Sequence, residues 1–237
     1  MELFAHRGNS GEAPENTLAS FRQALEVGAD GVEFDVQLSR DGIPVVIHDE
    51  RLERTTTGKG WVRDHTLAEL KALDAGRWFN PSCAGERIPT LQEVLALVRG
   101  TPVRINIELK TNRIAYPGLA QQVVETVQRL GLGPRVHLSS FNHKSLQEAR
   151  ALAPHLEYAA VVYEQLVQPW AYARQWQFQA LHPSLAAVDE EVVRGCHDAG
   201  LKVRVWTVDD PQDYARMKSM GVDAVISNHP RRFARRP

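Results

Sequence analysis

From Gly31 to Leu38 apolar and polar residues alternate at every step, with Val32, Phe34, Val36 and Leu38 on one side of an extended chain and Glu33, Asp35 and Gln37 on the other. A period of two predicts a strand. RINIELK repeats the pattern, setting Ile105, Ile107 and Leu109 against Asn106, Glu108 and Lys110. Shorter apolar runs, ELFAH, PVVIHD, RVHLSSF, LEYAAVVY, FQALHP, LKVRVWTV and DAVIS, read as further strands. Between them apolar residues recur at helical spacing. PENTLASFRQALEVG aligns Leu18, Phe21 and Leu25 on one face and ends at Gly28. LQEVLALV and GLAQQVVETVQRLG follow, and further helices are expected near 144–152, 165–176, 190–199 and 211–220.

Regular alternation of strand and helix implies crossover connections and a parallel sheet. About eight such units in 237 residues predict an α/β fold, a closed (β/α)8 TIM barrel forming a single domain over residues 1–237. An open doubly wound sheet is the competing architecture, but no glycine-rich dinucleotide fingerprint follows the first strand. The polar stretch 51–87 is too long for a plain loop and contains LAELKAL, so it reads as a small insertion subdomain.

The architecture fixes the direction of the alternating strands. Helices cover the outside of a parallel barrel, so the apolar set points outward and the polar set inward. Glu33, Asp35, Glu108 and Lys110 are therefore expected inside the barrel, near the carboxyl ends of their strands, where barrel enzymes place their sites. Three clustered interior carboxylates repel one another and resist desolvation unless they are neutralised. A hard divalent cation, Mg²⁺ or Ca²⁺, takes such oxygen ligands; pairing with Arg7 or Lys110 is the plainer alternative.

Charge and cysteine content narrow the classes. Twenty-eight lysines and arginines against 29 aspartates and glutamates leave no basic excess for nucleic acid. The basic end RRFARRP reads as a solvated helix end. Cys83 and Cys196 lack metal-type spacing and make no disulfide framework. There is no apolar run of about eighteen residues and no leader-like start, so a cytoplasmic protein without stable membrane insertion is expected. TTGKG near Lys59 lacks the nucleotide-loop spacing. In PENT, Glu15 and Asn16 suit helix capping, with a site contact as the alternative. Trp170, Tyr172, Trp176 and Phe178 read as helix-to-barrel packing rather than a lipid-facing rim.

AHRG supplies His6 and Arg7 at the end of the first strand, and VVIHD supplies His48 and Asp49 at the end of another. His65, His137, His143, His155 and His197 lie in contexts that suggest surface or helix positions. Two imidazoles beside a cation site suit phosphodiester cleavage. One activates the attacking oxygen and the other protonates the departing alkoxide, while arginine and lysine hold the non-bridging oxygens.

AHRGNSGEAPENTLASF, GADGVEFDVQLSRDGIPVVIHD, RTTTGKGWV, INIELK, SSF and VRVWTV together resemble the glycerophosphodiester phosphodiesterases, in order from residue 5 to about residue 208. The resemblance implies a TIM barrel with a small insertion, a divalent cation, and hydrolysis of small-molecule glycerophosphodiesters to sn-glycerol 3-phosphate and an alcohol. By position, His6 and His48 resemble the general base and acid pair, Glu33, Asp35 and Glu108 the metal ligands, and Arg7 and Lys110 the phosphate clamp. Trp206 resembles an aromatic wall beside the glycerol, although the residue alone reads as core. Asn228 stands where the family commonly has aspartate, a change expected to alter local hydrogen bonding and not the chemistry. The attacking oxygen is either water or the substrate's own glycerol hydroxyl. A lysophospholipase D-like enzyme and a non-catalytic phosphoester-binding barrel are the competing readings; a monomer or a homodimer fits either.

Overall fold

The computed structural model describes residues 1–234. The strands are β1 (Glu2–His6), β2 (Gly31–Leu38), β3 (Pro44–Val46), β4 (Arg104–Leu109), β5 (Val136–Ser140), β6 (Glu157–Val162), β7 (Ala180–Pro183), β8 (Lys202–Trp206) and β9 (Ala224–Ser227). The sheet runs β1-β9-β8-β7-β6-β5-β4-β2, all parallel, and pairing of β1 with β2 closes it into an eight-stranded barrel. The helices are α1 (Leu18–Glu26), α2 (Leu67–Ala72), α3 (Leu91–Val98), α4 (Leu119–Arg129), α5 (His143–Leu152), α6 (Pro169–Gln175), α7 (Glu190–Asp198) and α8 (Pro211–Met220). No helix among the described residues is long and apolar enough to cross a membrane.

PVVIHD departs from expectation. Only Pro44–Val46 is strand, and it pairs antiparallel with β2 outside the ring, Val46 opposite Val36. Residues 39–43 are too few for a crossover, so a hairpin is the only way back. The helix expected from 165 starts at Pro169, after Gln168 in a left-handed conformation at φ +50°. Proline suits a first helical position because its missing N–H has no intrahelical partner to lose.

On β2, Val32, Phe34 and Val36 face outward and are fully buried under the helices, in one core that also holds Phe21, Leu91, Ile105 and Ile107. Phe21 and Phe34 meet edge to face at 5.6 Å. Truncating such a residue to alanine costs about 3–5 kcal/mol. A separate small core of Val45, Ile47, Leu52, Val62, Leu70, Ala75 and Ile88 lies under the 51–87 segment. There α2 opens on a capping box between Thr66 and Glu69.

The barrel's own interior is plugged at mid-height. Phe4 fills it because Gly31 opposite has no side chain; a Cβ there would lie 2.4 Å from the Phe4 ring. His137, expected at the surface or on a helix, is instead fully buried on the inner face of β5. It packs edge to face on Phe4 at 5.4 Å and on His182 at 5.5 Å. The alternation of RVHLSSF explains this: Val136 and Leu138 face the helices, so His137 faces in. Of the four aromatics around α6, Phe178 is buried and Trp170 packs on the core, whereas Tyr172 and Trp176 are exposed. Near the C-terminus Pro230–Arg232 forms a short turn and Phe233 stacks on Tyr214 at 4.4 Å; the rest of RRFARRP, residues 235–237, lies outside the described residues.

Candidate active site

At the carboxyl ends of the strands a cavity of about 100 Å³ opens to solvent, lined among others by His6, Arg7, Glu33, His48, Glu108, Lys110 and Trp206. Register brings the acids together. Asp35 sits opposite Glu108 on neighbouring strands, and Glu33 sits opposite His6. Glu33, Asp35 and Glu108 each offer an oxygen within 4.8 Å of the others. Glu33 and Asp35 are almost wholly buried.

The cations compensate this cluster unevenly. Lys110 Nζ donates to Glu108 Oε1 at 3.0 Å and lies 3.8 Å from Asp35 Oδ1. Arg7 Nε lies 3.3 Å from Asp35 Oδ2, and Asn16 Nδ2 donates to that oxygen at 2.9 Å. Among the described residues no lysine or arginine side chain pairs with Glu33; its Oε2 accepts the Arg7 backbone N–H at 3.0 Å and stands 3.8 Å from His6 Nε2. The pKa shifts follow. Burial, then the charges of Asp35 and Glu108, push the Glu33 carboxyl well above its usual range. Burial also opposes ionisation of Asp35, but Arg7, His48 and Lys110 outweigh it and hold that carboxyl below its usual range. Neighbouring carboxylates driven apart in this way are a pattern shared by acid–base and metal sites. Three hard oxygen donors converging with one acid uncompensated fit a divalent cation.

The backbone of β1 bends to deliver His6 and Arg7. Arg7 is left-handed at φ +55°, and Gly8 follows at φ +80°. A Cβ on Gly8 would lie 2.4 Å from Ser20 Oγ, so the HRG turn needs glycine for both conformation and packing against α1. Arg7 Nη1 then donates to Glu15 Oε1 at 2.9 Å. In PENT the capping oxygen belongs to Thr17, which accepts from Ser20 N. Glu15 and Asn16 are site contacts, the alternative weighed for them.

His6 Nδ1 is 2.6 Å from Asn228 Oδ1. Asn228 Nδ2 donates to Asp209 Oδ2 at 2.7 Å, so its carbonyl oxygen is the atom that faces His6 and accepts the Nδ1 proton. Burial and the Arg7 charge lower the His6 pKa to about 4. The departure at position 228 thus acts on local hydrogen bonding, as expected, and the bond it sets is to His6. His48 comes from the hairpin, and its Nδ1 is 2.6 Å from Asp49 Oδ1. Sequence patterning gives no role to Gln37, Arg54 or His182. Buried Gln37 donates to the carbonyls of Ile47, His48 and Asp49 at 3.1, 2.9 and 2.9 Å and so pins the turn carrying His48. Trp206 is half-buried on the cavity wall, donates its indole N–H to the His182 carbonyl at 2.8 Å, and meets Phe141 edge to face at 5.4 Å.

Fold and cavity place the chain among (β/α)8 barrel proteins with an acid- and imidazole-lined pocket at the carboxyl ends of the strands. More narrowly, it belongs to the Glycerophosphoryl diester phosphodiesterase family, whose family model matches residues 6–232. It is 45% identical over 228 residues to a glycerophosphodiester phosphodiesterase of Caldanaerobacter subterraneus subsp. tengcongensis, covering 96% of this chain and 94% of that one. Identity to the glycerophosphodiester phosphodiesterase of Bacillus altitudinis is 41%, over 98% of this chain and 96% of the relative. The structure of an Oleispira antarctica phosphodiesterase in complex with the product sn-glycerol-3-phosphate superimposes with a TM-score of 0.88 at 35% identity, covering 98% of this chain and 94% of the other.

Proposed function

We propose that this chain is a phosphoric diester hydrolase that cleaves glycerophosphodiesters to sn-glycerol 3-phosphate and the free alcohol. The observation that carries the reading is the pairing of two imidazoles, His6 and His48, across a cavity that also holds three convergent carboxylates. The names of the relatives, and the sn-glycerol-3-phosphate in the similar structure, support the substrate class.

In this reading Glu33, Asp35 and Glu108 hold a divalent cation, Mg²⁺ or Ca²⁺, which supplies positive charge against the phosphoryl oxygens. Arg7 and Lys110 bind the remaining anionic oxygens and orient the phosphorus. His6 is the base: its Nδ1 proton is engaged by Asn228, and its lowered pKa keeps Nε2 free to take a proton at neutral pH. His48 is the acid that protonates the leaving alkoxide, with Asp49 as counter-charge to the imidazolium. Trp206 packs against the glycerol carbons. Residues 51–87 form a small subdomain within a single catalytic domain. The proposal extends to a cytoplasmic location and to a monomer or homodimer.

Incubation with glycerophosphocholine and either cation should release glycerol 3-phosphate and choline. If neither cation supports cleavage of any glycerophosphodiester, the reading falls.

A further inference from the structure

The segment RTTTG places one guanidinium against two arms of the cavity. Arg54 Nε donates to Asp49 Oδ2 at 2.5 Å and Nη2 to Asp49 Oδ1 at 2.9 Å. The same side chain donates from Nη1 to Glu15 Oε2 and from Nη2 to Glu15 Oε1, both at 2.8 Å. Each of these acids touches a different site residue: Asp49 holds His48 Nδ1 at 2.6 Å, and Glu15 holds Arg7 Nη1 at 2.9 Å.

His48 and Arg7 need bracing because neither sits within a barrel strand. His48 hangs from a hairpin outside the ring, and Arg7 lies just past β1 in a left-handed turn. Gln37 fixes the backbone around His48, but among the described side chains only Asp49 hydrogen-bonds the imidazole. Without a partner of its own, Asp49 would be free to rotate, and His48 with it. An arginine fork offers planar, paired N–H donors to both carboxylates at once, a fixed geometry that the point charge of an ammonium does not reproduce.

We propose that Arg54 is a positioning residue that sets His48 through Asp49 and Arg7 through Glu15, so that the 51–87 segment completes the site from outside the barrel. This rests on the hydrolytic reading above and adds a residue outside the lining of the cavity.

The test compares Arg54→Ala, Arg54→Lys, Asp49→Asn and Glu15→Gln with Arg51→Ala, whose fork bonds Glu53 in its own segment. With glycerophosphocholine, Arg54→Ala should lose about 10–100-fold in kcat/KM, as loss of an outer-layer orienting group typically does, by lowering kcat and raising KM together. Asp49→Asn should act chiefly on kcat and Glu15→Gln chiefly on KM. Adding Arg54→Ala to either should give less than the product of the separate losses. Free guanidinium should restore part of the Arg54→Ala rate and none of the Asp49→Asn rate. Melting temperatures of Arg54→Ala and Arg51→Ala should match. Losses that multiply, a fully active Arg54→Lys, or an Arg54→Ala loss that only tracks melting temperature would each overturn the proposal. A measurement independent of turnover separates it from the functional reading. The imidazole nitrogen resonances of His48, recorded without substrate, should shift or broaden in Arg54→Ala and stay fixed in Arg51→Ala. Unchanged resonances overturn the positioning role whatever the substrate proves to be. An unaltered chain that cleaves no glycerophosphodiester overturns only the reading beneath it.

Discussion

The two ends of the barrel interior carry opposite charge imbalances. At the carboxyl end three acids, Glu33, Asp35 and Glu108, face Arg7 and Lys110. At the amino end Arg104, Lys202 and Arg204 converge on Glu157, with Glu2 3.9 Å from Arg104. At the amino end folding gives Arg104 and Arg204 an opposite charge. Lys202 is 45% exposed and its surplus charge meets water, while fully buried Arg204 is bound by Glu157 and by His182 Nε2 at 3.2 Å. The carboxyl end is not balanced, because among the described residues no lysine or arginine side chain pairs with buried Glu33. Folding pairs the arginines of one end, whereas the other is left one positive charge short. The plug of Phe4, His137 and His182 keeps them apart.

Substitutions at the two ends should accordingly be read by different instruments. The largest effect is expected for His6→Ala or His48→Ala, each lowering turnover by about 10²–10⁴-fold with the melting temperature nearly unchanged. Near-normal turnover in both would remove their assignment. At the opposite end Glu157→Gln strands Arg204 in the interior. Breaking a buried pair from one side costs about 3–5 kcal/mol, or a fall of roughly 6–20 °C in melting temperature, with kcat well below that temperature preserved. A melting temperature that stays put would show the amino end to be ornamental.

Glu33→Gln sharpens the contrast. In chelator it should raise the melting temperature by a few degrees, since it relieves crowding among carboxylates, and it should abolish the further rise that Mg²⁺ or Ca²⁺ gives the unaltered chain. A fall in chelator would mean that Glu33 is already compensated. Acid sensitivity should come from imidazoles. Burial first, then Arg204, holds His137 well below its ordinary value of 6.5, and burial does the same to His182 and His6. An unfolded chain takes up these protons near 6.5 and the folded one does not. Stability is therefore present above about pH 6.5 and declines as pH falls below it, each group steepening the slope by up to about 1.4 kcal/mol per pH unit. His137→Leu should flatten that slope in acid melts; an unchanged slope would place the sensitivity elsewhere. The smallest effect is expected from the paired exchange Asn228→Asp with Asp209→Asn, which moves one negative charge onto His6. The acid limb of kcat/KM should rise by about 1 unit, and an unmoved limb would separate His6 from proton transfer.

The barrel and the acid triad were legible because both follow from parity. Once Val32, Phe34 and Val36 must face the helices, Glu33 and Asp35 have only the interior left, and the same rule applied to RINIELK places Glu108 beside them. Applied to RVHLSSF it would also have placed His137 inside. What parity could not reach lies in turns and hairpins. The antiparallel course of Pro44–Val46 follows from the short link at 39–43, and the bonds joining Glu15, Asp49 and Arg54 depend on where three separate loops end. Asn228 and His6 lie 222 positions apart and meet only because β9 and β1 are neighbours in the closed ring.

The plug at mid-height has one more consequence. A tube stoppered by Phe4 against Gly31 has a single mouth, so for the reaction proposed both products must retreat along the route by which the diester arrived. Retained glycerol 3-phosphate then obstructs the next arrival, which makes it a competitive brake on the rate.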